Sequence, residues 1–299
     1  MTDFRRGIRN PAFLDALGDL AAKGGWWREV VRDPSLIIGI RDEYLNVYWQ
    51  GQSLFKVGFV HGAVTATTHP KYLLNPDLAG QIAFDIGAGA FAPLKEDAVL
   101  RVWEPGVTLG RMKRAASLFS GDEKIGVQAI ANAHPDTLDV EIAFPAAEVT
   151  ERSVPRIDLA LVEERAGEAH LVFWEAKLLA NPELRSKGEK NVVRQIEAYR
   201  RIVDTFRPDI LGSYRIVADN LAIIAASSGG VRALGPGLAA VAAGAPLVLA
   251  DPPEVGLLVY GYDAPQRDEI WKELEADLKD RLGPTSRVIG RGDAKSIRL

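Results

Sequence analysis

The chain has 299 residues, of which 47% are hydrophobic and 25% are charged, a composition that excludes an intrinsically disordered protein and fits a folded globular one. The formal net charge is −4, so no overall positive field points to nucleic acid, although an acidic protein can still carry a local basic groove. The absence of cysteine excludes disulfides, thiolate zinc sites and cysteine nucleophiles. The histidines are scattered without the spacing of paired ligands, which argues against a histidine zinc site.

Two stretches of the sequence bear on where the protein works. The N-terminal sequence MTDFRRGIRN is polar, so we expect no signal peptide and predict a cytoplasmic protein. The longest uncharged stretch, residues 233–250, is rich in Ala and Gly and is broken by Pro236 and Pro246. These breaks favour a buried helix or loop over a membrane span.

The first third of the chain carries signals for helices followed by an antiparallel β meander. Asn10-Pro11 is a helix start, with a capping residue before a proline at the first helical position. Gly24-Gly25 separates this predicted helix from a second, shorter one. Apolar and polar residues then alternate, which predicts the short strands of a meander at 36–40, 43–49, 53–60 and 63–68.

The rest of the chain predicts a mixed α/β (α+β) fold. Helical spacing is found at 109–119, 123–133, 188–206 and 266–282. Runs typical of strands occur at 99–104, 138–145, 156–164, 170–179, 220–227 and 254–262. A short polar loop containing Gly167 joins the third and fourth of these runs, which predicts a hairpin. We predict two domains, with residues 1–110 serving recognition, dimerisation or regulation and residues 111–299 carrying the chemistry.

Three charged residues stand out in the predicted hairpin. Asp158 lies in one apolar strand, and Glu175 and Lys177 lie two residues apart in the next, so the latter two project from the same face. A hairpin brings Asp158 alongside them. Burying such charges is costly unless they neutralise one another or bind a cation, and two convergent carboxylates suit Mg²⁺ or Mn²⁺. A nearby lysine can orient or deprotonate a water and offset charge on a phosphate.

This arrangement resembles the PD-(D/E)XK nuclease superfamily, which includes many restriction endonucleases and repair nucleases. The resemblance covers roughly residues 120–230 and implies a restriction-endonuclease-like core in the order helix, three strands, helix, strand, with 220–227 as the last strand. It also implies that Gln195 belongs to the catalytic set with Asp158, Glu175 and Lys177. Glu123, on the helix before the first strand, becomes a candidate metal ligand beside the two strand carboxylates. Glu141 is a further candidate ligand.

Positive charge lies close to the predicted helix that carries Gln195. Lys187, Lys190 and Arg194 predict contacts with phosphates, although a solvated helix face with interspersed acids explains the same pattern. Arg111, Lys113 and Arg114 form a second basic candidate. The aromatic residues of the meander are more typical of a core than of base-stacking platforms.

The sequence therefore predicts a Mg²⁺-dependent deoxyribonuclease, with Mn²⁺ as a substitute, acting in restriction, phage defence or repair. The expected partner is DNA; no membrane partner is expected, and a homodimer is left open. One alternative is a catalytically silent nucleic-acid-binding or interaction module with the same fold. Another is a structural or regulatory protein in which Glu175 and Lys177 form a salt pair on a solvated strand. Metal-dependent cleavage separates the first interpretation from the other two.

Overall fold

The computed structural model describes residues 3–73, 80–91, 100–145, 156–284 and 286–299, which form a mixed α/β fold with two β sheets. The chain divides into two compact units. The N-terminal unit consists of Arg6–Lys124 and Ile216–Leu234, and the C-terminal unit of Met1–Arg5, Ile125–Arg215 and Gly235–Leu299. The N-terminal unit thus extends beyond the predicted boundary at residue 110 and includes a later segment, while the roles predicted for the two domains stay predictions.

The N-terminal unit is built on the predicted antiparallel meander. Helix α1 (Pro11–Lys23) begins at Asn10, whose side chain accepts a hydrogen bond from the Ala12 amide, and α2 (Trp26–Arg32) follows. The sheet has the sequential order β1 to β6, with strands β1 (Ile37–Ile40), β2 (Leu45–Trp49), β3 (Gln52–Val60), β4 (Ala63–Thr68), β5 (Ile82–Asp85) and β6 (Ala90–Phe91). The meander and the helix predicted at 109–119, which is α3 (Thr108–Ser117), are confirmed.

The strand predicted at 99–104 does not form a regular strand in the part of this segment that the structure describes. Val102 makes only an isolated bridge to Ala90, and Val99 lies outside the described residues. The segment instead contributes Trp103, whose buried ring packs near Phe55 and Phe84. The segment pairs with the edge of β6 through two backbone hydrogen bonds, from the Phe91 amide to the Arg101 carbonyl and from the Trp103 amide to the Gly89 carbonyl, without extending into a regular strand.

The C-terminal unit is built on a second sheet with the order β12-β11-β9-β8-β7. Its strands are β7 (Thr137–Ala143), β8 (Arg156–Arg165), β9 (Glu168–Leu178), β10 (Leu247–Val248), β11 (Val255–Tyr260) and β12 (Val288–Gly290), with β10 paired to β9. The hairpin of β8 and β9 is confirmed. Strand β9 lies between β8 and β11 and is buried from Leu171 to Lys177, as expected for a central strand covered on both faces.

Helices cover this sheet. Helix α4 (Asp122–Ala133) approaches β11 closely at Gly126, where a Cβ atom would lie 2.0 Å from the Tyr260 ring. Later in the chain come α5 (Val192–Thr205), α6 (Arg207–Ser227), α7 (Pro236–Ala242) and α8 (Ala264–Gln266), which continues through a π-helical turn into α9 (Lys272–Leu282).

The strand predicted at 220–227 is wrong, because these residues form the end of α6. Buried residues of α6 recur at intervals of four, three and seven positions, at Ile210, Tyr214, Val217 and Ile224, which places them on one face of a helix. The strands that follow α5 in the sheet are instead the two-residue β10 and then β11, both of which pair in parallel with β9. The predicted order of the core is corrected accordingly, since α6 and α7 intervene before these strands.

Among the described residues, one helix, α6, is long and apolar enough to cross a membrane by length and composition. This is weak evidence for a span, because core helices of soluble proteins meet the same criteria, and 44% of its most apolar window is buried inside the protein. The uncharged stretch at 233–250 forms the short helix α7 and strand β10. It is therefore too irregular to be a spanning helix.

Candidate functional site

Two buried carboxylates stand side by side on the central strands of the C-terminal unit. In the antiparallel register of β8 and β9, Asp158 stands opposite Glu175, one position beyond the last aligned pair. Only 5% of Asp158 and 2% of Glu175 is exposed. The backbone amide of Ala176 donates a 3.0 Å hydrogen bond to Asp158 Oδ2, which ties the first carboxylate to the strand that carries the second.

Lys177 completes this group from the same face of β9. Its Nζ atom lies 2.9 Å from Glu175 Oε1 and 3.0 Å from Glu183 Oε2. Lys177 is only 6% exposed, and buried lysines are rare unless they are paired. Glu183 lies on the 3-10 turn Pro182–Leu184, whose start is capped by the side chain of Asn181. The structure therefore brings Asp158, Glu175 and Lys177 together and adds Glu183.

Helix α5 presents Gln195 and Tyr199 to these strands. Gln195 Nε2 donates a 2.8 Å hydrogen bond to the Tyr199 hydroxyl, which donates a 2.7 Å bond to the carbonyl of Arg156 at the start of β8. Burial and the negative charges of Glu175 and Asp158 raise the pKa of Tyr199 far above its usual range. Tyr199 therefore stays a neutral hydroxyl and holds Gln195 beside the two carboxylates.

A third carboxylate stands next to this pair on the neighbouring strand. In the register of β7 and β8, Glu141 stands opposite Asp158, because the pairs on either side of them are aligned. Glu141 has a backbone φ of 53° in the middle of β7, a left-handed conformation that costs a non-glycine residue about 1–3 kcal/mol. Its carboxylate lies 3.9 Å from the exposed guanidinium of Arg156. Backbone strain of this kind concentrates at functional sites. The conformation of Glu141 therefore supports its prediction as a metal ligand.

The donor set fits a hard divalent cation with two protein carboxylates. Mg²⁺ usually keeps several waters and is held by one or two carboxylates together with substrate phosphates. Asp158 and Glu175 supply two such carboxylates. Among the residues that the structure describes, no group of three or more Asp, Glu and His side chains is placed to hold a metal ion. Glu123 lies in the first turn of α4 and belongs to the N-terminal unit, so its role as a ligand stays a prediction.

The predicted phosphate contacts lie on the segment that leaves the site. Lys187 and Lys190 are exposed between the 3-10 turn and α5, and Arg194 is exposed in the first turn of α5. That turn is fixed by Asn191, whose side chain accepts a 2.9 Å hydrogen bond from the Arg194 amide. Within the described residues, none of these three cations forms an ion pair. They remain available to an anionic partner near the strand that carries Glu175 and Lys177.

Sequence reasoning missed two members of the site. Tyr199 follows Gln195 by four residues, a spacing that places both on one face of a helix and could have revealed the pair. Glu183 is one of the acids interspersed among the basic residues of this segment, and that pattern does not point to Lys177. Its contact with Lys177 depends on the 3-10 turn after β9, which no periodicity in the sequence predicts.

Comparisons with known proteins give no further assignment. No protein-family model, no curated protein and no solved structure matches the chain. The resemblance to PD-(D/E)XK nucleases therefore stays a hypothesis.

Proposed function

We propose that the protein is a metal-dependent nuclease that hydrolyses DNA phosphodiester bonds with Mg²⁺, for which Mn²⁺ can substitute. The observation that carries this proposal is the pair of buried carboxylates, Asp158 and Glu175, on adjacent strands with Lys177 beside them. This is the arrangement expected of the PD-(D/E)XK superfamily. The restriction-endonuclease-like core and a cytoplasmic role in restriction, phage defence or repair belong to the same proposal.

The charges at the site favour a cation over a simple salt pair. Glu175 and Lys177 are buried on a central strand, so they are not a pair on a solvated surface. Ion pairs join Lys177 to Glu175 and Glu183, and Arg156 to Glu141. Asp158 and Glu175 are two like charges buried on adjacent strands, which repel one another when both are ionised. A divalent cation between them would offset that repulsion.

The residues of the chain then have distinct tasks. When bound, the divalent cation supplies Lewis acidity that polarises a phosphate oxygen and lowers the pKa of a water. Asp158 and Glu175 would hold it. Lys177 would orient the attacking water and place positive charge beside the phosphate. Gln195, fixed by Tyr199, would complete the polar wall of the site. The water oxygen forms a bond to phosphorus and releases a proton to solvent, the bond from phosphorus to the leaving sugar oxygen breaks, and that oxygen takes up a proton from solvent.

The first test is cleavage of plasmid and linear DNA with Mg²⁺, with Mn²⁺ and with EDTA. We expect cleavage with either metal and none after chelation. Asp158→Asn should lower the rate by at least about 100-fold, because the stabilisation lost with a metal ligand amounts to several kcal/mol. Its melting temperature should be unchanged or higher, since the substitution removes one of two adjacent negative charges.

Asp139→Asn is the matched control. Asp139 is buried on β7 and accepts hydrogen bonds from the Val140 amide and the Tyr214 hydroxyl. Its substitution should lower the melting temperature, because one of these bonds is lost, and should leave cleavage intact. A wild-type protein that binds DNA and never cleaves it would instead identify a catalytically silent binding module. A protein that neither binds nor cleaves DNA would indicate that Glu175 and Lys177 form a structural salt pair.

A further inference from the structure

The N-terminal unit contains a cavity of about 570 Å³ where α2, the end of β2 and α3 meet. Its apolar lining comes from Pro34, Trp49 and Leu109. Its charged lining includes Arg32, Asp33, Lys113 and Arg114. The cavity thus combines an apolar floor with charged walls, which is the composition of many ligand sites.

The acidic side chains of this cavity are already engaged. Glu29 accepts hydrogen bonds from the Trp103 indole at 3.1 Å and from the Gly106 amide at 3.1 Å. Asp33 accepts a 2.8 Å bond from Lys113 Nζ. Burial alone would raise the pKa of Asp33, but Lys113 and Ser35 outweigh it and hold its pKa below the usual range. Lys113 therefore offsets the charge of Asp33, and Glu29 is held in the wall by two neutral donors.

The walls are held in place by buried polar contacts. Arg232 donates hydrogen bonds to the carbonyls of Val30, Val31, Asp33 and Leu36, at 2.7 to 3.3 Å. It thereby fixes the connection between α2 and β1, which forms one wall. Lys113 ties the opposite wall, α3, to that connection, and its ammonium lies 4.1 Å from the centre of the Trp49 ring. The cavity is preorganised, so little ordering free energy is lost when it binds a ligand.

Two guanidinium groups remain at its opening. Arg32 and Arg114 are exposed, and neither forms an ion pair with any residue in the described ranges. A guanidinium offers donors that match a phosphate in a bidentate manner. Positive charge beside an apolar floor matches a ligand with a phosphate and a planar apolar ring.

We propose that this cavity binds a nucleoside phosphate, with the phosphate on Arg32 and Arg114 and the base over Pro34 and Leu109. A free nucleotide and one unit of a DNA strand present the same chemistry to this cavity. The site belongs to the N-terminal unit and uses none of the residues assigned to phosphodiester cleavage, so it does not depend on the nuclease proposal.

The test is the binding of fluorescein-labelled tetrathymidylate by anisotropy, with EDTA present to prevent cleavage. The decisive variant is Gly110→Glu. Gly110 lines the cavity, and a Cβ atom there meets only Arg114, with its Nη1 at 3.8 Å. The new carboxylate stands four residues before Arg114 on α3, where it can pair with that guanidinium. Gly18→Glu is the matched control, because it adds the same charge to α1 at a position with nothing within 4 Å.

We expect Gly110→Glu to weaken binding at least tenfold and Gly18→Glu to leave it within twofold, with both variants melting at or above the wild-type temperature. Competition by unlabelled dTMP then separates the sources of the ligand. Displacement of the probe by dTMP supports a site for free nucleotides, and failure of dTMP to displace it supports a site for a strand. Equal affinity of the wild type and Gly110→Glu overturns the proposal, as does a wild type that binds neither the probe nor dTMP.

Discussion

The ammonium group of Lys177 is held between the carboxylates of Glu175 and Glu183, whereas the guanidinium group of Arg194 is exposed on α5. The two cations therefore differ in what they can do for a phosphate. In the proposed nuclease, Lys177 is fixed beside the carboxylates that would hold a metal, and its charge would act on the reacting phosphate. Arg194 would attract the DNA backbone from outside the site.

Kinetics separates these two tasks. Lys177→Ala should lower the single-turnover cleavage rate at saturating DNA by about 100-fold or more, the size expected for a group that assists proton transfer, and should change affinity little. Arg194→Ala should weaken DNA binding, reduce the slope of log affinity against log salt by about one unit, and spare the rate at saturation. Single-turnover cleavage beside equilibrium binding at several salt concentrations measures both effects.

Lys295→Ala controls for the loss of one exposed positive charge in the same unit. It should change neither the rate at saturation nor the salt slope. A Lys177→Ala protein that binds DNA poorly and cleaves normally once saturated would show that Lys177 anchors the phosphate and takes no part in the chemical step.

At the scale of elements, an ion-pair network links β8 to the residue before β11 and the residue before β12. Arg165 Nη1 lies 2.7 Å from Glu254 Oε2, and Arg287 contacts both Glu254 and Glu163. Burial alone would raise the pKa of Glu254, but Arg165 and Arg287 outweigh it and hold its pKa below the usual range. The folded state therefore binds the Glu254 proton more weakly than the unfolded chain does.

This shift gives the stability a defined dependence on pH. A carboxylate with a lowered folded-state pKa stabilises the protein above its unfolded pKa, about 4.3, and loses that contribution as pH falls through its folded pKa. The difference in unfolding free energy between wild type and Glu254→Gln should thus be largest near pH 7 and shrink below about pH 4. Urea unfolding of both proteins across this range measures it. A difference that grows as the pH falls would contradict the assignment, and Glu275→Gln, at an exposed pair, should show little change.

The elements that were predicted correctly are those whose pattern of apolar and polar residues fits only one type of secondary structure. The hairpin of β8 and β9 combines two apolar runs with a polar turn at Gly167, where φ is 85°, so its strands and register follow from local chemistry. The run at 220–227 was misassigned because a short apolar segment fits a strand or a buried helix equally well. Only the helical spacing that begins earlier, at Ile210, decides between them.

The residues of the site could likewise be predicted only where local sequence determines their positions. Asp158, Glu175 and Lys177 could be grouped from a two-residue spacing and a hairpin, because both are local. The position of Glu141 opposite Asp158 depends on the pairing of β7 with β8 across the segment between them. Its left-handed backbone could not be predicted, since nothing in the sequence LDVEIAF distinguishes that residue from an ordinary strand residue.

At the scale of the whole molecule, the chain leaves the N-terminal unit after Lys124 and returns to it with Ile216–Leu234. Asn220 joins this later segment to the start of the unit. Its side chain accepts a 2.7 Å hydrogen bond from the Ile8 amide and donates a 3.1 Å bond to the Ile8 carbonyl. Gly7 beside it has a φ of 112°, and a Cβ atom there would lie 2.5 Å from the Ile216 side chain. Later residues thus complete a unit that earlier residues begin.

Asn220→Ala should destabilise the protein by about 1–3 kcal/mol or more, because it leaves a buried amide and a buried carbonyl without their partners. Urea unfolding monitored by tryptophan fluorescence measures the loss. Asp219→Ala, at the exposed neighbouring position on α6, should change stability by less than about 0.5 kcal/mol. Equal effects of the two substitutions would show that the contact with Ile8 does not secure the unit.

The return of Ile216–Leu234 also has a consequence for synthesis of the protein on the ribosome. The meander of the N-terminal unit emerges first, but the Arg232 hydrogen bonds that fix the α2–β1 connection form only after the strands bearing Asp158 and Glu175 have been translated. More than ninety residues are therefore added to the nascent chain before the N-terminal unit can make its contacts with Ile216–Leu234. A chain truncated before residue 216 would lack the contacts of Asn220 and Arg232, so its N-terminal unit should be more sensitive to proteases than in the full chain.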